Sequence, residues 1–247
     1  FTVEKPGAEL KEIGLFEKGK KSPVKNFTIL SSKVSDQDEG EPENLFDEQD
    51  TIEYVPSFMT STYFDEIYHA RTAYEHVHRI EPYENTHPPL GKIFIALGTL
   101  IFGMNPFGWR IPGMLFGTAM IPVTYVFARR LFHRTEWAFL AAFLMTFDFM
   151  HFAQTRIATI DSYVVLFIML MYYYMLRFHQ AESWREEVLS LLLSGVFFGL
   201  ACASKWIGIY GGAGLALFFF LALYWKVKAR RGADGSVGYV MRILLLC

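Results

Sequence analysis

Two adjacent carboxylates, Asp65 and Glu66, stand in a polar segment just before the chain turns strongly apolar. About twenty residues later come His87-Pro88-Pro89-Leu90-Gly91-Lys92, and the bases Arg110, Arg156 and Lys205 and the acid Asp161 follow at the edges of apolar runs. These residue types suit displacement of an anionic leaving group. Arg and Lys hold a phosphate, Arg in a two-pronged grip. A carboxylate takes the proton from an incoming hydroxyl. An unperturbed Asp, with a pKa of about 3.9, is a poor base for a free alcohol, so it must act as the proton leaves in the transition state. A neighbouring acid such as Glu66 would raise its pKa.

The same residues have plainer readings. An Asp-Glu pair often starts a solvated helix, Lys and Arg snorkel, and Asp161 can cap the helix that follows it. On a helix over residues 64–78, Asp65, His69, Thr72 and His76 share one face. An Asp and a His four apart can share a metal, but no third ligand stands at a suitable spacing, so this face is expected to turn to water. Ionisable groups near membrane depth are costly, and a set of acids and bases collected on one face favours a site.

What must position them is a membrane bundle. The chain is 52% hydrophobic and 17% aromatic, with 24 Phe. Its net charge of −2 argues against a nucleic-acid partner. Cys202 and Cys247 lie in apolar runs and form no disulfide framework. Uncharged stretches cover residues 93–109, 111–128, 137–147, 162–176, 188–204 and 206–225. A spanning helix needs about 20 mostly apolar residues, and five of these reach that with their flanks. The first, interrupted by Gly98 and closed by Gly103, Asn105 and Pro106, does not.

Loop charges order the spans. Arg129, Arg130 and Arg134 follow the second run, Arg177 and Arg185 the fourth, and Lys226, Lys228, Arg230 and Arg231 the sixth. Such excess marks cytoplasmic loops. All three are cytoplasmic only if the spans alternate from Gly108, starting outside. Residues 88–103 then form a helix along the outer interface. Asp65, Glu66, His87, Lys92, Arg110, Asp148, His151, Arg156, Asp161 and Lys205 all fall at the outer side.

Residues 1–55 are polar and acidic. Residues 10–16 alternate, Glu17-Lys18-Gly19-Lys20 reads as a hairpin turn, 26–31 as a second strand and 35–50 as a linker. This is expected to be the tail of an extracytoplasmic β-rich domain, followed by a membrane domain over 56–247. The absence of an initiator Met and the apolar end at 242–247 read as a fragment cut at both ends.

The stretch from about Tyr63 to Tyr224 resembles the protein O-mannosyltransferase family of the C-type membrane glycosyltransferases. The resemblance rests on Phe64-Asp65-Glu66, His87-Pro88-Pro89-Leu90-Gly91-Lys92, Trp109-Arg110 with Gly117, the run Arg156-Ile157-Ala158-Thr159-Ile160-Asp161-Ser162, and Ser204-Lys205-Trp206-Ile207-Gly208. It implies a polytopic α-helical membrane protein of the C-type glycosyltransferase fold. The implied reaction transfers mannose from a polyprenyl- or dolichyl-phosphate carrier to Ser or Thr of a protein, with inversion and without a cofactor or bound metal. The implied roles are Asp65 as catalytic base, Glu66, His87 and Asp161 shaping the site, and Arg110 and Lys205 contacting the donor phosphate, with Lys92 and Arg156 beside them. The expected location is a bacterial plasma membrane with the site outside, or the ER membrane with the site lumenal. The family's first span is missing here, and the polar segment before Asp65 is an addition.

Two rivals stand beside this reading. One is transfer of another lipid-linked sugar to a lipid or glycan. The other is a transporter or lipid-binding protein whose outer charges bind an anion. Transporter sites lie near the membrane midplane between repeats, whereas these charges gather at one surface and no repeat is visible.

Overall fold

A computed structural model describes residues 13–32, 41–47, 49–52, 54–55, 57, 59–229 and 236–245. The chain divides into two units, Phe1–Ser61 and Thr62–Cys247.

In the first unit the expected turn is present. Lys20 donates its amide to the Glu17 carbonyl at 2.9 Å, and Gly19 takes a φ of 87°, where a side chain would be strained. The turn closes one antiparallel bridge, Phe16 to Pro23. No strand forms among the described residues, and 26–31 is irregular. Instead the segment is pinned by Gln49, whose amide reaches the Ile13 carbonyl at 2.7 Å and whose Oε1 accepts from the Leu15 amide at 3.1 Å. Residues 10–12 and 35–40 lie outside the described residues, as do Arg230, Arg231 and Cys247.

The second unit is helical. Its elements are α1 (Glu66–His78), α2 (Leu90–Phe102), α3 (Pro106–Phe132), α4 (Thr135–Phe147), α5 (Phe149–Thr155), α6 (Asp161–Gln180), α7 (Trp184–Ser204), α8 (Ile207–Ala229) and α9 (Ser236–Leu244). Among the described residues, α3, α6, α7 and α8 are long and apolar enough to cross a membrane. The expected fifth span is divided. Asp148 adopts an extended conformation and its carboxylate caps α5, accepting from the His151 amide at 2.6 Å. That break leaves α4 with 13 residues, about 20 Å of helix against the ~30 Å a bilayer core requires.

Side-chain bonds fix the directions of the helices. Glu66 bonds both Arg110, early in α3, and the Ala158 amide, just before α6. At the other ends the Gln180 amide lies 3.4 Å from the Arg130 carbonyl. So α3 and α6 run parallel, and α4 and α5 together carry the chain back between them. Lys205, after α7, bonds Asp161 at the start of α6. Lys226, near the end of α8, bonds the Ala181 carbonyl and Glu187 at the start of α7. The bundle therefore has one end carrying Glu66, Arg110, Asp161 and Lys205, and an opposite end carrying Arg129, Arg130, Arg177, Arg185, Lys226 and Lys228.

The short α2 does not traverse the bundle. Its start lies against the start of α6, where Gly91 leaves no room for a Cβ beside Ile160. Its end turns through Gly103, at φ 87°, directly into Asn105, which caps α3 by accepting from the Gly108 amide at 2.9 Å. A core of Ala70, Ala73, Ile95, Trp109, Ile160, Tyr163 and Phe167 packs these elements together.

Candidate active site

The site is built at the end where α1, α3 and α6 begin. Tyr63-Phe64-Asp65-Glu66 forms a tight entry to α1. Phe64 sits at φ 56°, an uncommon conformation for an aromatic residue. The Glu66 carboxylate holds it there, accepting from the Tyr63 amide at 2.6 Å.

Glu66 is fully buried. Besides Tyr63 it accepts Arg110 Nε on Oε1 and Arg110 Nη2 on Oε2, both at 2.7 Å, and the Ala158 amide at 2.8 Å. It is the joint between three elements distant in sequence. The Arg110 fork, read from the sequence as a phosphate grip, is engaged by Glu66.

Asp65 differs. It is half-buried at the N-cap position of α1, and its side chain caps no backbone amide. Its carboxylate has no hydrogen-bond or ion-pair partner among the described residues, so it is open to a substrate hydroxyl.

His69 lies one turn after Asp65 and is buried, with Nδ1 unpartnered. Burial lowers its pKa, with Lys92 acting in the same direction and the charges of Glu84, Asp65 and Asp161 opposing. Thr72 on the same face is also buried. This face packs inward, contrary to the expectation of a face turned to water, because α2 and α6 cover it. No group of three His, Cys, Asp or Glu side chains suited to a metal occurs among the described residues.

Lys92 is 1% exposed. Its ammonium donates to the Glu84 carbonyl at 2.7 Å and the His87 carbonyl at 3.2 Å, and it pairs with the Glu84 carboxylate. It holds the loop over 84–87 in place. Burial would raise the Glu84 carboxyl, but bonds from Lys92 and Thr86 outweigh it and hold it at about 2. Glu84 was not singled out in the sequence; an acid eight residues before a buried Lys carries no distinctive spacing. His87 is half-buried with Nδ1 unpartnered. Trp206 adds a second tie to this loop, donating from Nε1 to the Thr86 carbonyl at 2.8 Å.

Lys205 and Asp161 pair at 2.7 Å, both partly exposed. Arg156 is exposed at the end of α5, its guanidinium 5.4 Å from the Phe152 ring centre, with no ion pair among the described residues. Asp148 and His151 lie apart from the pair. Asp148 is a helix cap, and His151 Nε2 lies 3.1 Å from the Gly117 carbonyl, part-way down α3. Around the start of α6, the hydroxyls of Thr159, Ser162 and Tyr163 are buried and unpartnered. The end thus presents one open carboxylate, an exposed guanidinium, a partly exposed Lys–Asp pair and buried polar atoms with bonding capacity left over.

Comparison with known proteins matches residues 86–246 to a family described as dolichyl-phosphate-mannose-protein mannosyltransferase. That match includes His87, Lys92, Arg110, Arg156, Asp161 and Lys205 and begins after the Asp65–Glu66 pair. The chain is 31% identical over 196 residues to a polyprenol-phosphate-mannose–protein mannosyltransferase of Mycobacterium tuberculosis, covering 68% of this chain and 36% of that protein. Against the protein of the same name from Corynebacterium glutamicum it is 34% identical over 173 residues, 61% of this chain and 33% of the relative. A dolichyl-phosphate-mannose–protein mannosyltransferase of Candida albicans is 24% identical over 200 residues, 70% of this chain and 24% of the relative. The chain spans about a third of the length of its bacterial relatives.

Proposed function

Because the chain belongs to the dolichyl-phosphate-mannose-protein mannosyltransferase family, we propose that it carries the catalytic end of an enzyme that moves mannose from a polyprenyl- or dolichyl-phosphate carrier to Ser or Thr hydroxyls of proteins. The observation that carries the reading is the division of labour between neighbouring acids. Glu66 is consumed by Arg110 and two backbone amides, while Asp65 is left open. One acid builds the site and the other is available for chemistry.

In the proposed step the acceptor oxygen attacks the anomeric carbon opposite the phosphate, which inverts that carbon. The bond from the anomeric carbon to the phosphate oxygen breaks, and its electron pair leaves with the carrier phosphate. Asp65 takes the hydroxyl proton as the new bond forms. Arg156 and Lys205 stabilise the departing phosphate. Lys205 gives one bond to Asp161 and retains other donors for phosphate. Arg110 acts as a positioning residue for Glu66, and His87 and Asp161 shape the donor side. The scheme calls for no metal.

The site is proposed to face the outside, or the ER lumen in a eukaryote. The basic residues at the opposite end of the bundle support that orientation, since positive charge collects on the cytoplasmic side. The membrane-spanning carrier would then present its phosphate at the outer interface, beside α2.

The test is incubation of membranes containing the full-length protein with labelled polyprenyl-phosphate-mannose and a Ser/Thr peptide. Labelled peptide with inverted anomeric configuration is the expected result. Label in a lipid or glycan and none in peptide would overturn the acceptor and favour a sister transferase. Retained configuration would overturn the single displacement.

A further inference from the structure

A second polar site lies at the opposite end of the bundle, away from the chemistry. The last turn of α3 and its C-cap bring Arg129, Arg130 and His133 to one cavity of about 510 Å³, closed on its other side by Tyr173 and Gln180 of α6 and floored by Val126. No acidic side chain lines it. Arg129 and His133 are exposed, while Arg130 is half-buried and its Nε is fully covered without a hydrogen-bond partner. The Tyr173 ring leans on Phe127, centres 6.1 Å apart, so the wall towards the bundle is aromatic.

The plain account is that these cations complement the negative end of the α3 dipole and reach for water. It explains Arg129. It does not explain a guanidinium nitrogen buried without an acceptor, nor a cavity between two parallel helices with cations along one wall and an aromatic ring on the other. An anion with several oxygens satisfies both, because a phosphate can accept from two guanidinium groups and an imidazole together.

The depth of the cavity selects the source. It lies at the last turn of two helices long enough to cross the bilayer, where headgroups sit, and has an apolar residue below and basic residues around it. We propose that this cavity binds the headgroup phosphate of an anionic membrane phospholipid, in the leaflet at the basic end of the bundle. Basic pockets between spanning helices on the cytoplasmic side take such headgroups. The lipid would stabilise the parallel contact of α3 with α6, the contact that also brings Arg110 and Ala158 to Glu66 at the far end. The inference rests on the chain crossing a membrane and is independent of the sugar transferred.

The test uses the full-length protein in nanodiscs of mixed phosphatidylglycerol and phosphatidylcholine, extracted into detergent and examined by native mass spectrometry for retained lipid. Phosphatidylglycerol should be enriched over phosphatidylcholine. Arg129→Gln, at an exposed position where folding is undemanding, should lower retention about fivefold, and Arg129→Gln with Arg130→Gln should lower it further. Lys228→Gln removes a charge from the same end without touching the cavity and should leave retention unchanged. Equal retention of both lipids, or an equal loss in Lys228→Gln, would reduce the effect to general surface attraction and overturn the site. Displacement of phosphatidylglycerol by millimolar inorganic phosphate would make it a solution-anion site and overturn the lipid assignment.

Discussion

The Arg110 guanidinium donates Nε and Nη2 to the two oxygens of Glu66, each at 2.7 Å, across 44 residues of sequence. Glu66 is fully buried and the Arg110 side chain is 13% exposed. A pair in this setting is costly to break from one side, because the partner keeps its charge without compensation. Glu66→Gln is therefore expected to destabilise the helical unit by about 3–5 kcal/mol. Arg110→Lys should also destabilise, since a point charge cannot replace the planar fork. Thermal unfolding in detergent checks both. Unchanged melting in Glu66→Gln together with lost turnover would give Glu66 a direct catalytic role.

Asp65→Asn should behave in the opposite way. The side chain has no partner to lose, so melting should match the parent, while turnover with saturating donor falls by about 10²–10⁴-fold. Normal turnover at equal expression would show that Asp65 only starts a helix.

Acid should weaken the site in two windows. Burial lowers the His69 pKa below 6.5. The unfolded chain then takes up this proton first, so the stability of the neutral buried ring is lost as pH falls from 6.5. For Glu84 the folded pKa is about 2 against 4.5. Its contribution is present above 4.5 and lost as pH falls from there towards 2. Melting temperature followed from pH 7.5 to 3 should decline through both windows. Glu84→Gln should flatten the lower one and His69→Gln the upper one. An unaltered profile in either variant would remove that group from the account.

Gly98→Ala should separate α2 from α3. A Cβ at Gly98 would stand 2.3 Å from the Gly108 carbonyl oxygen, a backbone atom that cannot swing aside. Overpacking of this kind costs about 1–3 kcal/mol. Crosslinking between cysteines placed on α2 and α3 should weaken, and activity should fall with it. Retained crosslinking and activity would show that the two helices can part without consequence.

Much of the frame was legible in the sequence. Apolar runs of fixed length, with Arg and Lys in every second loop, were enough to place the spans, their order and the one short helix that stays at a single end. Period and charge are local properties, and helix formation in an apolar setting follows them. The break at Asp148 was not legible. A polar residue inside an apolar run can cap, kink or face a partner, and only the bond to the His151 amide chose the first.

Which charges were free and which were engaged was decided by tertiary structure alone. Asp65 and Glu66 are adjacent acids with nearly the same intrinsic chemistry. One peptide unit turns Glu66 into the joint, where it meets Arg110 and the Ala158 amide, and leaves Asp65 at the opening. Lys92 and Arg110 looked alike as bases at span edges, but each is bound to an acid brought to it by the fold, whereas Arg156 is not. An ion pair across 44 residues has no spacing rule, because its geometry depends on how whole helices pack. The sequence determined which residues reach this end of the bundle; packing determined which of them remain available to a substrate.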